Sequence, residues 1–430
     1  MSARVVLGVG AGIAAYKSCE LLRLLTESGH HVRVVPTPDA LRFVGEATWA
    51  ALSGEPVTTD AWTGVDEVPH VRLGQSADLV LVAPATADLM ARAAAGLAGD
   101  LLTATLLTAR GPVLYAPAMH TEMWEHPATQ ANVSLLRSRG AIVLEPAVGR
   151  LTGQDSGAGR LPEPIAIFAV ATRLLARGAV GPDLGGRRVV VSAGGTREEI
   201  DPVRFIGNWS TGTQGYALAR TAVARGAEVI LVAANVSLPD PAGAKVTRVV
   251  SARELRDAVL AAASEGAGAD AVVMAAAVAD YRPEARSVAK IKKDGQPPEP
   301  LRLTENPDIL AGLATVRRDQ AAAGQHTPDH DPERTGLLPQ ATVRQVLVGF
   351  AAETDTSPEK ARAKLARKGC DLLVVNPVGN GLGFGTPDNE AVVYGADGTV
   401  RPIPRGPKDA LADVVWDLVA ARMNESVSDT

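Results

Sequence analysis

The chain has 430 residues, a length that predicts two or three domains. Its 43 basic and 48 acidic side chains leave a net charge of −5, which excludes the basic field of a nucleic-acid binder. Two cysteines, Cys19 and Cys370, exclude a disulfide framework, and no apolar run approaches the roughly 20 residues of a membrane span.

The expected product is a cytoplasmic protein, with no cleavable signal before its first strand. Aromatics are only 3% of the chain, so Ala, Gly and Val carry the apolar load, as buried parallel strands require. Only nine of the 43 basic residues are lysines, and six of those nine fall between Lys290 and Lys368. That clustering points to a local need for compact ammonium charge.

Residues 1–178 predict alternating strands and helices. Strands are expected at 4–9, 31–37, 78–83, 113–117 and 141–146. Helices are expected at 13–28 and 86–96, with a closing helix at 164–177. The first strand runs into Gly10-x-Gly12-x-x-Ala15, a glycine turn that cradles phosphate at a helix start. A dinucleotide site wants an acidic residue at the end of the second strand. Thr37 stands there instead, and its hydroxyl suits a mononucleotide phosphate. His70 precedes the third strand. Pro84–Asp88 and Pro117–Trp124 close the third and fourth strands, where open α/β sheets bind ligands. Four glycines within 149–163 suit a flap, and 179–186 reads as a linker.

In order, the GIAAYK turn, His70, PATADL, PAMHTEMW and the glycine-rich flap resemble the flavin-dependent cysteine decarboxylases over residues 4–163. The resemblance implies a flavodoxin-like domain holding FMN at Gly10, Gly12, Ile13, Thr37, Pro84, Thr86 and Met119. It also implies decarboxylation of a peptide-like substrate ending in cysteine, with His70 as the base; imidazole titrates near neutral pH. Two positions depart from the family. His120 stands where the family has the Asn that meets the substrate carboxylate. Thr152 stands where the reducing members carry a flap cysteine, and a threonine hydroxyl is a far weaker acid than a thiol. Thr152, Asp155 or a water then becomes the proton donor or relay. A second reading stays open, in which the flavin half is regulatory or an incomplete decarboxylase.

A second α/β domain is expected over 187–430, with strands at 188–192, 228–234, 271–281, 344–354 and 371–376 and a helix near 212–225. A further helix is punctuated by Ser357 as N-cap, Pro358 at its first position and Gly369 just past its end. Residues 317–342 are polar and rich in Pro, Gly and Asp, and are expected to form a disordered insertion. His326 and His330 within it lack the packed support of a zinc site. The loop 194–211 is too long for a Rossmann turn and has no Walker lysine. It ends in Asn208-Trp209-Ser210-Thr211-Gly212 at a helix start, where free N–H groups favour an anion. Lys290, Lys292 and Lys293, with the stripe Lys360, Lys364 and Lys368 on one helix face, match the charge of a triphosphate.

DPVRFIGNWSTG, AAVADYR, KIKK, NPDI and GFAAET with the paired lysines closely resemble the phosphopantothenoylcysteine synthetases over 187–376. Joined to the first half, they make the chain similar to the bifunctional bacterial enzymes of coenzyme A synthesis. The resemblance implies an α/β protein of two Rossmann-like three-layer domains. It implies that CTP activates 4′-phosphopantothenate as an acyl-cytidylate and that L-cysteine then forms the amide. The first half would decarboxylate that product to 4′-phosphopantetheine. By matching position, Asn208 and Arg204 meet the substrate, and Lys290 neutralises phosphate. CTP meets Ser210, Gly212, Ala275, Ala276, Asp280, Lys290, Asn306, Pro307, Asp308, Ile309, Phe350, Lys364 and Lys368. Mg²⁺ is expected on the phosphates, with Asp280 a candidate ligand. A homo-oligomer is implied, of trimeric flavin domains and dimeric ligase domains, up to a dodecamer.

Overall fold

The computed structural model describes residues 2–59, 68–150, 156–178, 181–266, 268–292, 300–324, 345–379 and 386–428. By compactness the chain divides into two units. The first is Met1–Arg187 with Arg220–Glu228 and Pro239–Lys245; the second is Arg188–Ala219, Val229–Leu238 and Val246–Thr430.

The first unit runs β1 (Arg4–Val9), α1 (Ala15–Glu27), β2 (His31–Pro36), a 3-10 turn (Pro38–Arg42), α2 (Glu46–Ser53), α3 (Pro69–Ser76), β3 (Leu79–Ala85) and α4 (Ala87–Ala95). It continues with α5 (Leu101–Thr108), β4 (Val113–Pro117), α6 (Thr121–Glu125), α7 (Pro127–Ser138), β5 (Ile142–Val143), β6 (Ala147–Arg150), β7 (Ser156–Arg160) and α8 (Pro164–Arg177). β1 to β5 form a parallel sheet of order 2-1-3-4-5. Every residue of β3 is buried, as a continuous apolar run covered on both faces should be. The order is flavodoxin-like, and its direction reverses between β1 and β3, the ligand-binding switch point of such sheets. Helix starts fall where the sequence caps them. Thr86 accepts from the Leu89 amide at 3.3 Å, and Asp100 forms a capping box with Thr103. The fifth strand is shorter than its apolar run, and β6 and β7 make a separate antiparallel hairpin.

The later chain runs β8 (Arg188–Gly194), β9 (Arg197–Glu199), β10 (Phe205–Gly207), α9 (Thr213–Ala224), β11 (Glu228–Ala234), β12 (Ala244–Val249), α10 (Ala252–Ser264), β13 (Ala271–Met274), β14 (Tyr281–Pro283) and β15 (Leu303–Glu305). It ends with α11 (Ile309–Gly324), β16 (Val346–Glu353), α12 (Pro358–Lys368), β17 (Leu372–Pro377), β18 (Asp388–Gly395), β19 (Val400–Pro407) and α13 (Lys408–Ser428). The main sheet has the order 12-11-8-13-16-17-18-19. It is parallel through β8, β13, β16 and β17 and antiparallel at β18 and β19. Ser357 caps α12 and Gly369 ends it in the left-handed region, as its punctuation requires.

Two expectations are corrected. The strand expected over 271–281 ends at Met274. Beyond it the backbone turns to meet the loop after β8: Ala277 donates to the Gly194 carbonyl at 2.7 Å, and Thr196 donates to the Ala277 carbonyl at 3.1 Å. Residues 317–324, expected within the insertion, complete α11. Arg317 anchors that turn through an ion pair with Asp371 and through the carbonyls of Gln345 at 2.8 Å and Gly369 at 3.0 Å. The remainder of the insertion, with His326 and His330, lies outside the described residues.

Candidate functional site

In the first unit the candidate residues gather at the C-terminal ends of β1 to β4. Gly10 follows β1 and donates to the Pro84 carbonyl, at the end of β3, at 3.0 Å. A Cβ on Gly10 would lie 2.5 Å from that same oxygen, so only glycine lets the two strand ends meet. Thr37 follows β2, and its amide bonds to Val9 at 2.9 Å. Its hydroxyl is buried without a protein partner. A buried orphan donor beside a glycine cradle fits a ligand oxygen better than a core contact. Ile13 is 70% exposed on the same turn.

Thr86 spends its hydroxyl oxygen on capping α4. After β4, the Met119 amide bonds to the Gly159 carbonyl of β7 at 2.9 Å, stitching the hairpin to the strand end. His120 is exposed at the start of α6. The neighbouring Thr121 hydroxyl, which sequence reasoning missed, is also buried and unpartnered.

His70 is held on a helix rather than at a strand end. It lies in the first turn of α3, and its carbonyl accepts from the Thr108 hydroxyl, at the end of α5, at 2.7 Å. Its Nδ1 is buried without a partner. Among the described residues it makes no hydrogen bond to the strand-end group. Thr152 and Asp155 lie outside the described residues.

In the second unit a cleft of about 130 Å³ opens at the C-terminal ends of β13, β16 and β17 and the first turn of α9. Ser210, Gly212, Ala275, Ala276 and Phe350 line it, as the motifs imply. Asn376, Asn389 and Lys408 line it too, with no motif to announce them. Asn208 is exposed, and its Nδ2 donates to the Val278 carbonyl at 3.0 Å, which leaves its second N–H and its oxygen for a ligand.

Arg204 was expected on the substrate. In this structure its guanidinium grips Asp201 through Nε at 3.0 Å and reaches the Ile291 carbonyl at 2.8 Å. Asp201 is 1% exposed and also accepts from the amides of Val203, Arg204 and Ile291. The Arg204 hydrogen bond holds its carboxyl well below the usual carboxylate range. This hub fixes the segment that carries Lys290. Lys290 itself is exposed, and no carboxylate pairs with it among the described residues.

Asn306 is a staple: its Nδ2 reaches the Ala279 carbonyl at 2.8 Å and its amide the Asp280 carbonyl at 2.8 Å. Pro307 lies beside it, and Ile309 is buried in the core. Lys364 pairs with Glu353 at 2.6 Å, and Lys368 pairs with Asp308 at 2.6 Å. Asp280 is exposed, and no group of three or more metal-ligating side chains occurs among the described residues. No described helix is long and apolar enough to cross a membrane.

Two family models match the chain. Residues 1–175 match the family model Flavoprotein. Residues 184–327 and 335–423 match the DNA/pantothenate metabolism flavoprotein C-terminal domain. The coenzyme A biosynthesis bifunctional protein CoaBC of Mycobacterium bovis is 56% identical over 97% of this chain and 96% of its own. That of Bacillus subtilis is 41% identical over 93% of this chain and 92% of its own. The solved C-terminal domain of a CoaBC protein is 31% identical, covers 57% of this chain and 99% of its own, and has a TM-score of 0.43. The chain belongs to the CoaBC family: it is a bifunctional enzyme of coenzyme A biosynthesis, with a flavoprotein decarboxylase half and a ligase half.

Proposed function

We propose that the second unit joins 4′-phosphopantothenate to L-cysteine at the expense of CTP, and that the first unit decarboxylates the product with FMN. The buried, unpartnered Thr37 hydroxyl beside the Gly10 cradle carries the flavin assignment. Gly10, Gly12, Ile13, Thr37, Pro84, Thr86 and Met119 would hold FMN. When bound, FMN would take two electrons from the substrate's cysteine and return them once CO₂ has left, so that the decarboxylation is redox-neutral overall. The glycine turn after β1 and the Thr37 hydroxyl would orient the phosphate end. His120 meets the substrate carboxylate as it departs, and His70 takes the proton.

In the ligase half, the carboxylate of 4′-phosphopantothenate attacks the α-phosphorus of CTP, and pyrophosphate leaves. The cysteine amine then attacks the acyl carbon, and CMP leaves. The free N–H of Asn208 steadies the developing negative charge. Lys290, held in place by the Asp201 hub, neutralises phosphate as pyrophosphate departs. Mg²⁺ is proposed to ride on the nucleotide phosphates, with Asp280 its carboxylate ligand.

The decarboxylase site is completed by a second copy of the chain. Two observations support this: among the described residues His70 makes no hydrogen bond to the strand-end group, and Ile13, Tyr16, Met123 and Val148 are 48–77% exposed. The test starts from CTP, cysteine and 4′-phosphopantothenate, following pyrophosphate and CO₂. His70→Asn should lower CO₂ release by about 100- to 10,000-fold and spare pyrophosphate release. Gly10→Ala should lose flavin absorbance. Co-expressing the two inactive variants should restore CO₂ release, because a mixed assembly contains sites with both residues intact. Failure to restore it would place both residues in one copy's site.

A further inference from the structure

The ligase cleft contains one cation that no motif announces. Lys408 opens α13, is only 6% exposed, and lines the cleft. Its ammonium donates to the Thr386 carbonyl at 2.6 Å, and no carboxylate pairs with it among the described residues. An ammonium has three N–H donors, so two remain after Thr386. Burial pushes its pKa down, opposed by the charge of Asp388. Lys290, Lys364 and Lys368, the lysines expected to meet phosphate, do not line this cleft; Lys408 does.

Its position is fixed from α9. Gln214, in the first turn of that helix, donates Nε2 to the Lys408 carbonyl at 3.2 Å and accepts from the Asn389 Nδ2 at 3.2 Å. The same turn presents the amides of Gln214 and Gly215, which no intrahelical carbonyl can reach. The ammonium and the positive end of a helix dipole therefore share one cleft. Two such groups repel, and the ammonium has also lost hydration. An anion held between them relieves both costs. A neutral base or sugar hydroxyl would relieve neither.

We propose that Lys408 is a binding residue of the ligase, whose ammonium acts with the first turn of α9 to hold the phosphate oxygens of a phosphate-ester substrate. This rests on the ligase reading above. Two substrates carry such a group: the nucleoside triphosphate and the phosphomonoester of 4′-phosphopantothenate.

The test uses the full chain, wild type and Lys408→Met, titrated calorimetrically. The ligands are CTP, cytidine, tripolyphosphate, 4′-phosphopantothenate and pantothenate. Losing a charge-assisted hydrogen bond should weaken one phosphorylated ligand by about 10- to 100-fold and leave its phosphate-free counterpart unchanged. Weakening of CTP and tripolyphosphate supports the proposal with the nucleotide as source. Weakening of 4′-phosphopantothenate supports it with the monoester as source. Unchanged affinity for both phosphorylated ligands, or equal losses with and without phosphate, overturns it. Decarboxylation by the same sample reports that the variant is folded. Should the Met variant melt, Lys408→Gln, which keeps a donor for Thr386 without the charge, carries the same comparison. A wild-type chain that releases no pyrophosphate from CTP would refute the ligase reading itself and leave phosphate binding at Lys408 a separate measurement.

Discussion

Asp201 and Arg204 stand three residues apart in one motif, and only the structure separates their work from that of Asn208. The carboxylate is buried and takes donors from two turns; the guanidinium closes the clasp. Such a pair has a definite pH signature. The folded carboxyl titrates below the unfolded value of about 3.9. Its contribution to stability is therefore complete above that pH and is lost as pH falls below it. Arg204→Ala should lower the melting temperature at pH 7, and the difference from wild type should shrink as pH drops below about 4. Parallel melting curves at both pH values would show that Arg204 does not hold Asp201. The variant should also raise the KM for CTP, because Lys290 sits beside the Ile291 amide that Asp201 fixes.

At the scale of elements, the hairpin β6–β7 depends on one glycine. Gly159 has φ +145°, and a Cβ there would lie 2.2 Å from the Met119 carbonyl oxygen. Gly159→Ala should cost about 1–3 kcal/mol locally, release the hairpin from the strand end, and depress CO₂ release with pyrophosphate release intact. Equal loss of both activities would point to general unfolding instead. Most elements were legible because their causes are local. β1, β3 and β8 are continuous apolar runs, and α12 carries its caps in its own sequence. The strand over 271–281 was overread because AVVMAAAVA is uniformly apolar. What stops it at Met274 is a distant loop, through the Gly194 and Thr196 bonds to Ala277. The insertion was overread in the same way: 317–324 is polar, but Arg317 has a partner in Asp371 that no window of sequence shows. β18 and β19 alternate too weakly to announce themselves, so Asn389 and Lys408, which they position, were invisible. Motifs located the glycine cradle and the α9 turn because backbone geometry restricts which residues fit there.

For the whole molecule, the division into units does not follow the chain. Arg220–Glu228 and Pro239–Lys245 belong to the first unit. Within it, the fully buried Arg225 pairs with Asp183, and a Cβ on Gly243 would meet Leu144 and Val223. A fragment cut at residue 178 lacks all of these partners except Leu144. It should melt below the flavin unit of the intact chain, followed by flavin fluorescence on heating. Identical melting would show that the two later segments add nothing to that unit. The paired lysines of α12 have a consequence of another kind. Lys364 and Lys368 each carry an internal counter-ion, Glu353 and Asp308. A nucleotide that recruits them does not strip mobile ions from solution; it exchanges one fixed anion for another. Under the proposed CTP reading, nucleotide binding would thereby be buffered against ionic strength, because part of the salt atmosphere is already built into the chain.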